Sequence, residues 1–249
     1  MDLTRTDVGH GRPHLLLHGG GGPLSVAGFA ALLAGDARVV TPTHPGFGGT
    51  DRPADLDSPA ALAARYAELL TELDLTAVCV IGNSLGGWVA AELALLGSPR
   101  VSAVVLIDAV GIEVSGHPVP GFFALTPAEV AQRSWYDPST MVDPATLPPA
   151  VQATLPGNRA ALAVYGGTAM ADPTLLSRLA AAAVPTLVVW GEADRIGDVD
   201  YGRAFAAAIP GARFELIPHA GHLPQIENPH ALLTTIRDFT EHPADQPAA

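Results

Sequence analysis

Residues 77–96 read AVCVIGNSLGGWVAAELALL, and this stretch decides the fold. Five apolar, strand-forming residues lead into a serine flanked by glycines, and an alanine- and leucine-rich helix pattern follows. A serine on so sharp a strand-to-helix turn presents its hydroxyl above the edge of the sheet. Gly82 and Gly86 allow the bend, because glycine adopts backbone angles that other residues avoid. The pattern is typical of a nucleophile elbow, with Ser84 as the nucleophile.

A glycine-rich turn at this point could instead bind a phosphate group, but the sequence argues against it. A dinucleotide-binding fingerprint needs glycine at position 84, which is serine here. A Walker A loop needs a lysine, and all 13 Lys+Arg residues of this chain are arginines. The lack of lysine also excludes Schiff-base and pyridoxal-phosphate chemistry, so we expect no cofactor.

The composition indicates a globular protein that can bury a sizeable core. The chain has 249 residues, of which 48% are hydrophobic and 15% are charged. Its net charge of −12 argues against nucleic acid or an anionic membrane surface as a partner. We find neither the apolar core of a signal peptide nor a membrane-spanning run, so we expect a soluble cytoplasmic protein. Cys79, the one cysteine, is interpreted as a small buried hydrophobe.

Strand and helix patterns alternate along most of the chain, which indicates an α/β fold with a mostly parallel sheet. The clearest strand candidates beside the elbow strand are residues 14–17, 38–41, 101–107, 186–190 and 213–217. The alternation stops at residues 111–174, which are rich in proline, glycine, serine and aromatic residues. An insertion here would lie over the carboxyl ends of the strands, where α/β folds bind ligands, so we predict a small helical cap. The remaining predicted boundaries are an α/β core at 1–110 and 175–241 and a disordered tail at 242–249.

Four successive glycines occupy positions 19–22, after a short apolar run and His18. They bury nothing, but their N–H groups can point freely into a cavity. In acyl transfer such groups form an oxyanion hole, which stabilises the tetrahedral intermediate by about 3 kcal/mol. A flexible surface loop is the alternative interpretation.

Serine is a poor nucleophile by itself, so Ser84 needs a base, and the base needs an orienting carboxylate. Among nine histidines we favour His222, which follows a glycine in the loop after the last predicted strand. His219 lies in the same loop and competes with it. For the acid, Asp194 follows the preceding strand and is favoured, and Asp108 at the end of the strand after the elbow is the alternative.

These motifs together resemble the α/β-hydrolase superfamily over residues 15–239. The matching pieces are HGGG at 18–21, HPGFG at 44–48, GNSLGG at 82–87, VLID at 105–108, WGEAD at 190–194 and GH at 221–222. The resemblance implies a catalytic triad of Ser84, Asp194 and His222. It also implies an oxyanion hole formed by the backbone N–H groups of Gly20 and Leu85. The sheet would have eight strands, with the cap inserted after the sixth.

The main hypothesis is a serine hydrolase that cleaves a small, hydrophobic carboxylic ester or lactone through an acyl-enzyme. The closest alternative is a carbon–carbon bond hydrolase of vinylogous diketones, although relatives of that kind often carry tryptophan where this chain has Leu223. A non-hydrolytic lyase or ligand receptor with the same fold also stays open. We expect a small-molecule substrate and no metal, because the histidines lack ligand spacing. The candidate substrate-binding residues are Gly19, Gly21, Trp135, Tyr165 and Leu223.

Overall fold

The core of the protein is a mostly parallel sheet covered by helices on both faces. The structure, a computed structural model, describes residues 3–241. The strands are β1 Arg5–Gly9, β2 Arg12–Leu17, β3 Ala37–Pro42, β4 Val78–Asn83, β5 Val101–Ile107, β6 Thr186–Gly191 and β7 Arg213–Ile217. They lie in the order β1-β3-β2-β4-β5-β6-β7. Only the β1–β3 pair is antiparallel, so the α/β fold class predicted from the sequence is confirmed.

The sheet has seven strands within residues 3–241, where the family resemblance implies eight. A single strand, β1, precedes β2, because the chain turns through Gly9 and Gly11 at φ +78° and +107° and enters β2 directly. Such positive φ values are accessible to glycine at little cost. The inserted segment therefore follows the fifth strand and not the sixth.

The helices follow the predicted alternation with few exceptions. The α-helices are α1 Leu24–Leu33, α2 Pro59–Glu72, α3 Leu85–Leu96, α4 Pro127–Ser134, α5 Pro149–Gln152, α6 Leu155–Gly166, α7 Leu175–Arg178, α8 Val199–Ala207, α9 Pro224–Glu227 and α10 Pro229–Glu241. Helix α7 does not continue to the start of β6. The chain instead tightens into a 3-10 turn at Leu179–Ala181 and becomes extended at Ala182, because it must enter β6. The short helix α9 was not predicted.

Strand β4 separates two apolar layers, because successive side chains of a strand point to opposite faces. Val78 and Val80 pack into the layer that contains residues of α2, α3 and α8. Cys79 and Ile81 pack into the layer that contains residues of α1 and α10. Burial raises the pKa of the Cys79 thiol to about 12. The thiol is therefore protonated at neutral pH, and the interpretation of Cys79 as a buried hydrophobe is confirmed.

The segment 111–174, which we call the cap, contains α4, α5 and α6 and several 3-10 turns. Two backbone hydrogen bonds join the end of α4 to the core: Arg195 donates to the carbonyl of Arg133, and His222 donates to that of Ser134. The domain boundaries at 110 and 175 stay predictions, and the expected tail at 242–249 lies outside the described residues. In the part of the chain that the structure describes, no helix combines the length and apolar character needed to cross a bilayer.

The contact between β4 and α3 gives a first prediction. A Cβ atom on Gly82 would lie 2.1 Å from the carbonyl oxygen of Gly86, which is backbone and cannot move aside. Gly82→Ala is therefore expected to lower the free energy of unfolding by about 3 kcal/mol or more.

Gly28 provides the matched control, because a Cβ atom there would meet nothing within 4 Å. It lies in α1, so Gly28→Ala should raise the free energy of unfolding by up to about 1 kcal/mol. Urea unfolding of both variants measures the difference. Equal stability of the two variants would contradict the close approach of β4 and α3.

Candidate active site

Ser84 occupies the turn between β4 and α3 in a backbone conformation that is unfavourable for serine. Its φ and ψ are +55° and −117°. Its N–H donates to the carbonyl of Ile107 at 2.9 Å, and its own carbonyl accepts from the N–H of Trp88 at 3.1 Å. These bonds hold the turn against strain of about 1 to 3 kcal/mol. The side chain is 9% exposed, at the wall of a cavity.

The structure places His222 and Asp194 in direct contact. Nδ1 of His222 lies 2.8 Å from Oδ2 of Asp194, and Oδ1 of Asp194 accepts from the N–H of Ile196 at 2.7 Å. Asp194 is an acceptor when ionised, so the imidazole donates from Nδ1 and keeps its lone pair on Nε2. His222 lines the same cavity as Ser84. With its lone pair on Nε2, the ring has the acceptor that a general base needs.

The two competing residues lie elsewhere. His219 is exposed, and its ring packs against Tyr136 with centroids 5.4 Å apart. Asp108 is fully buried beside Asp194 and accepts from the N–H of Gly191 at 2.8 Å. The pairing of His222 with Asp194 therefore leaves Asp108 as a neighbour of the acid and not as the partner of the ring.

The glycine loop is oriented by His18. Nε2 of His18 accepts from the N–H of His44 at 3.0 Å, so the proton is on Nδ1, which donates to the carbonyl of Gly19 at 2.8 Å. Burial lowers the pKa of His18 well below its usual value and that of His44 to about 4, so both rings are neutral. In a trans peptide the carbonyl and the following N–H point in opposite directions. The N–H of Gly20 therefore points away from His18, and Gly20 lines the cavity.

Leu85 is the second residue for which an oxyanion role is expected. It is the first residue of α3, and the first N–H groups of a helix have no acceptor within the helix. Such a free N–H beside the nucleophile can stabilise a developing negative charge. Gly20 and Leu85 thus have the properties of an oxyanion hole, and their role stays a prediction.

The cavity has a volume of about 360 Å³ and lies between the sheet edge and the cap. Three of the five candidate substrate-binding residues, Gly21, Trp135 and Leu223, line it. Tyr165 does not; its hydroxyl donates to the carbonyl of Pro45 at 2.9 Å. Gly19 does not line it either, since it packs against Ser84, where an added Cβ atom would lie 2.9 Å from the serine Cβ. The apolar residues of the lining that the sequence analysis did not single out include Val110, Phe122, Met141, Leu162, Met170 and Ile196.

One face of α6 forms part of this lining, although the sequence analysis did not assign that face to the site. Leu155, Asn158, Arg159 and Leu162 all face the cavity. Their spacing of i, i+3, i+4 and i+7 is the signal of a single helix face. The pattern could have identified α6 as a cavity wall, but it includes polar residues and so does not stand out as apolar.

The strained serine gives a second prediction. Glycine adopts positive φ freely, so Ser84→Gly should raise the free energy of unfolding by about 1 kcal/mol or more. Ser84→Ala keeps a Cβ atom and the strain, so it should leave the stability within about 0.5 kcal/mol of the wild type. Both variants remove the hydroxyl, so thermal unfolding distinguishes relief of strain from loss of the side chain. A Ser84→Gly variant no more stable than Ser84→Ala would refute the strain.

The chain matches the model of the alpha/beta hydrolase family over residues 15–235. It is 30% identical to the 2-hydroxy-6-oxononadienedioate/2-hydroxy-6-oxononatrienedioate hydrolase of Cupriavidus pinatubonensis, over 94% of this chain and 88% of that relative. It is 28% identical to the 2-hydroxymuconate semialdehyde hydrolase of Pseudomonas putida, with 94% and 88% covered. A solved thermophilic esterase from Thermogutta terrifontis is similar, with a TM-score of 0.78 and 27% identity over 96% of this chain and 93% of that one. The chain therefore belongs to the alpha/beta hydrolase family of enzymes.

Proposed function

We propose that this enzyme is a serine hydrolase that cleaves a small, largely apolar carboxylic ester or lactone through an acyl-enzyme. The observation that carries the proposal is the hydrogen-bonded pair of Asp194 and His222, which shares one apolar cavity with Ser84. Similarity to a solved esterase at 27% identity supports it.

The first half of the reaction forms the acyl-enzyme. Nε2 of His222 takes the proton of Ser84 while the serine oxygen attacks the substrate carbonyl carbon. The oxyanion that develops accepts hydrogen bonds from the N–H groups of Gly20 and Leu85. Asp194 stabilises the imidazolium, which then protonates the leaving alkoxide, and the C–O bond to the alcohol breaks.

The second half regenerates the enzyme. Water attacks the acyl carbon, and His222 takes one of its protons. A second oxyanion forms and collapses, Ser84 leaves as the alkoxide and receives the proton from His222, and the carboxylic acid is released. A lactone follows the same steps with its alcohol tethered to the product.

The shape of the cavity supports a small apolar substrate. Its volume of about 360 Å³ is at the lower end of the range for small-molecule sites. Phe122, Trp135 and Met170 line it from the cap, so burial of an acyl or alcohol group there gains the hydrophobic contribution. Short and medium acyl chains fit this space better than long ones.

A carbon–carbon bond hydrolase is the second candidate, and Arg159 is the observation that favours it. Arg159 is the single arginine among the described residues that line the cavity, and the chain has no lysine. Its guanidinium donates to the carbonyl of Phe123 at 2.8 Å and lies 5.7 Å from the ring centre of Phe122, which holds it in place. A guanidinium is well suited to a substrate carboxylate. The Cupriavidus relative is named for a dioate, which carries carboxylates.

A substrate panel tests the proposed function. It contains p-nitrophenyl acetate, butyrate and decanoate, a small lactone and a vinylogous diketone acid from aromatic ring cleavage. We expect turnover of acetate and butyrate, with Ser84→Ala reducing kcat by at least about 10⁴-fold and Asp194→Asn by about 10³- to 10⁴-fold. Ser177→Ala, at an exposed serine of α7, is the control and should leave kcat unchanged.

The other outcomes of the panel separate the alternatives. Rapid diketone cleavage with little ester turnover would reject the ester hydrolase hypothesis in favour of the carbon–carbon bond hydrolase. Covalent labelling of Ser84 by a fluorophosphonate without turnover of any substrate would favour a lyase or a receptor.

Arg159 gives a separate prediction on charge selectivity. Arg159→Leu should raise KM about three- to fivefold for the p-nitrophenyl monoester of a dicarboxylic acid, because the substrate carboxylate loses its cation at an exposed site. The KM for p-nitrophenyl butyrate should stay within about twofold, because that ester is neutral. Arg133→Leu, an exposed arginine of α4, is the charge-matched control. An equal effect of Arg159→Leu on both esters would show that Arg159 acts by packing and not by charge.

A further inference from the structure

Asp108 is a buried carboxyl group that the proposed mechanism does not use. It follows β5 directly and is 0% exposed. Oδ1 accepts from the N–H of Gly191, but no N–H or O–H group of the described chain donates to Oδ2, which is also buried. A buried carboxylate oxygen without a donor is unfavourable, so the charge state of Asp108 needs an explanation.

The neighbours of Asp108 supply that explanation. One side-chain ligand atom each of Asp108, Asp194 and His222 lie within 4.8 Å of one another, so the two carboxyl groups are close neighbours in the buried interior. Two ionised carboxylates at this range repel, and neither can donate a hydrogen bond, so one of them holds a proton.

The hydrogen bonds show which carboxyl is protonated. Both oxygens of Asp194 already accept a hydrogen bond, Oδ1 from the N–H of Ile196 and Oδ2 from the ring of His222. Asp108 accepts only one, from Gly191. The proton therefore belongs on Oδ2 of Asp108, the oxygen that otherwise has no partner.

The surrounding charges act in the same direction. Burial raises the pKa of Asp108 well above its usual value, and the negative charge of Asp194 raises it further. Glu227, from α9, adds a smaller effect of the same sign, and the hydrogen bond from Gly191 opposes them. His222 is the remaining titratable group of the cluster and is itself bound to Asp194.

We propose that Asp108 is a positioning residue for the proposed hydrolase: its neutral carboxyl donates a hydrogen bond to Asp194 and fixes the carboxylate that orients His222. The inference rests on the proposed function. Asp108 holds the end of β6 through the N–H of Gly191 and the loop after β6 through the side chain of Asp194. The negative charge then stays on Asp194, where it stabilises the imidazolium.

Two substitutions at position 108 test the proposal. Asparagine keeps an acceptor for Gly191 and offers an N–H donor to Asp194, whereas valine offers neither. We expect Asp108→Asn to keep kcat for p-nitrophenyl butyrate within about threefold, and Asp108→Val to lower it at least about tenfold with KM little changed. Equal activity of the valine and asparagine variants would overturn the positioning role.

The pH profile distinguishes a neutral Asp108 from a charged one. Asp108→Asn removes no charge if Asp108 is neutral, so the acid limb of kcat/KM should stay where it is in the wild type. A charged Asp108 would instead stabilise the imidazolium of His222 electrostatically. Its removal would then shift the acid limb to lower pH by about one unit or more. A shift of that kind would overturn the proposal.

Two measurements keep the test independent of ester turnover. The rate at which a fluorophosphonate labels Ser84 should show the same order of variants, wild type and Asp108→Asn before Asp108→Val. Infrared spectra are recorded at neutral pH, and the spectrum of Asp108→Asn is subtracted from each. The difference should contain the C=O stretching band of a protonated carboxyl for the wild type and for Asp200→Asn, a control at an exposed site. The band should be missing in Asp108→Asn. A wild type without the band would overturn the proposal, whereas the band and labelling without ester turnover would overturn only the proposed function.

A proton held by Asp108 in the folded protein also makes the stability depend on pH in a defined direction. Above about pH 4 the unfolded chain releases the Asp108 proton while the folded chain keeps it, so this group lowers stability as pH rises. Asp108→Asn has no such proton and therefore does not lose stability in this way. The Tm of Asp108→Asn minus that of the wild type should therefore increase between about pH 5 and pH 8. A difference that shrinks with rising pH would contradict a proton held by Asp108.

Discussion

The constraint on which the site depends is the close approach of three backbone segments: the end of β2, the end of β4 and the start of α3. A Cβ atom on Gly86 would lie 2.3 Å from the carbonyl oxygen of Leu17, so α3 can begin only where no side chain separates it from the end of β2. This contact places the glycine loop after β2 beside Ser84. Ser84 and the glycine loop are thus positioned by the same steric condition, and the positive φ of Ser84 is the strain that accompanies it.

His222 is held by groups from three parts of the fold. The cap supplies the carbonyl of Ser134 to its N–H at 2.7 Å, and Asn83, beside the nucleophile, donates to its carbonyl at 3.0 Å. The loop after β6 supplies the Asp194 carboxylate to its ring. A displacement of the cap would therefore be transmitted to His222, because the cap accepts a hydrogen bond directly from its N–H.

The site separates its charges by burial. His18 and His44 are neutral because burial lowers the pKa of both rings, which lets them fix the orientation of a backbone loop without adding charge near the nucleophile. Burial and the neighbouring Asp194 raise the pKa of Asp108 well above its usual value, because a low-dielectric interior disfavours two adjacent negative charges. Arg159 is exposed and is the one arginine among the described residues that line the cavity.

Local patterns in the sequence determined the fold class, the strand bounds at Val101–Ile107 and Arg213–Ile217, the elbow and the presence of an inserted segment, because each depends on side-chain periodicity or glycine within a few residues. They favoured His222 over His219 and Asp194 over Asp108, but they left both alternatives open. Those choices depend on contacts between residues far apart in the chain, such as the 2.8 Å bond between Asp194 and His222. The number of strands before β2, the cavity face of α6 and the proximity of the two buried carboxyls, Asp108 and Asp194, were decided only by the tertiary structure, because each depends on which distant segments pack together.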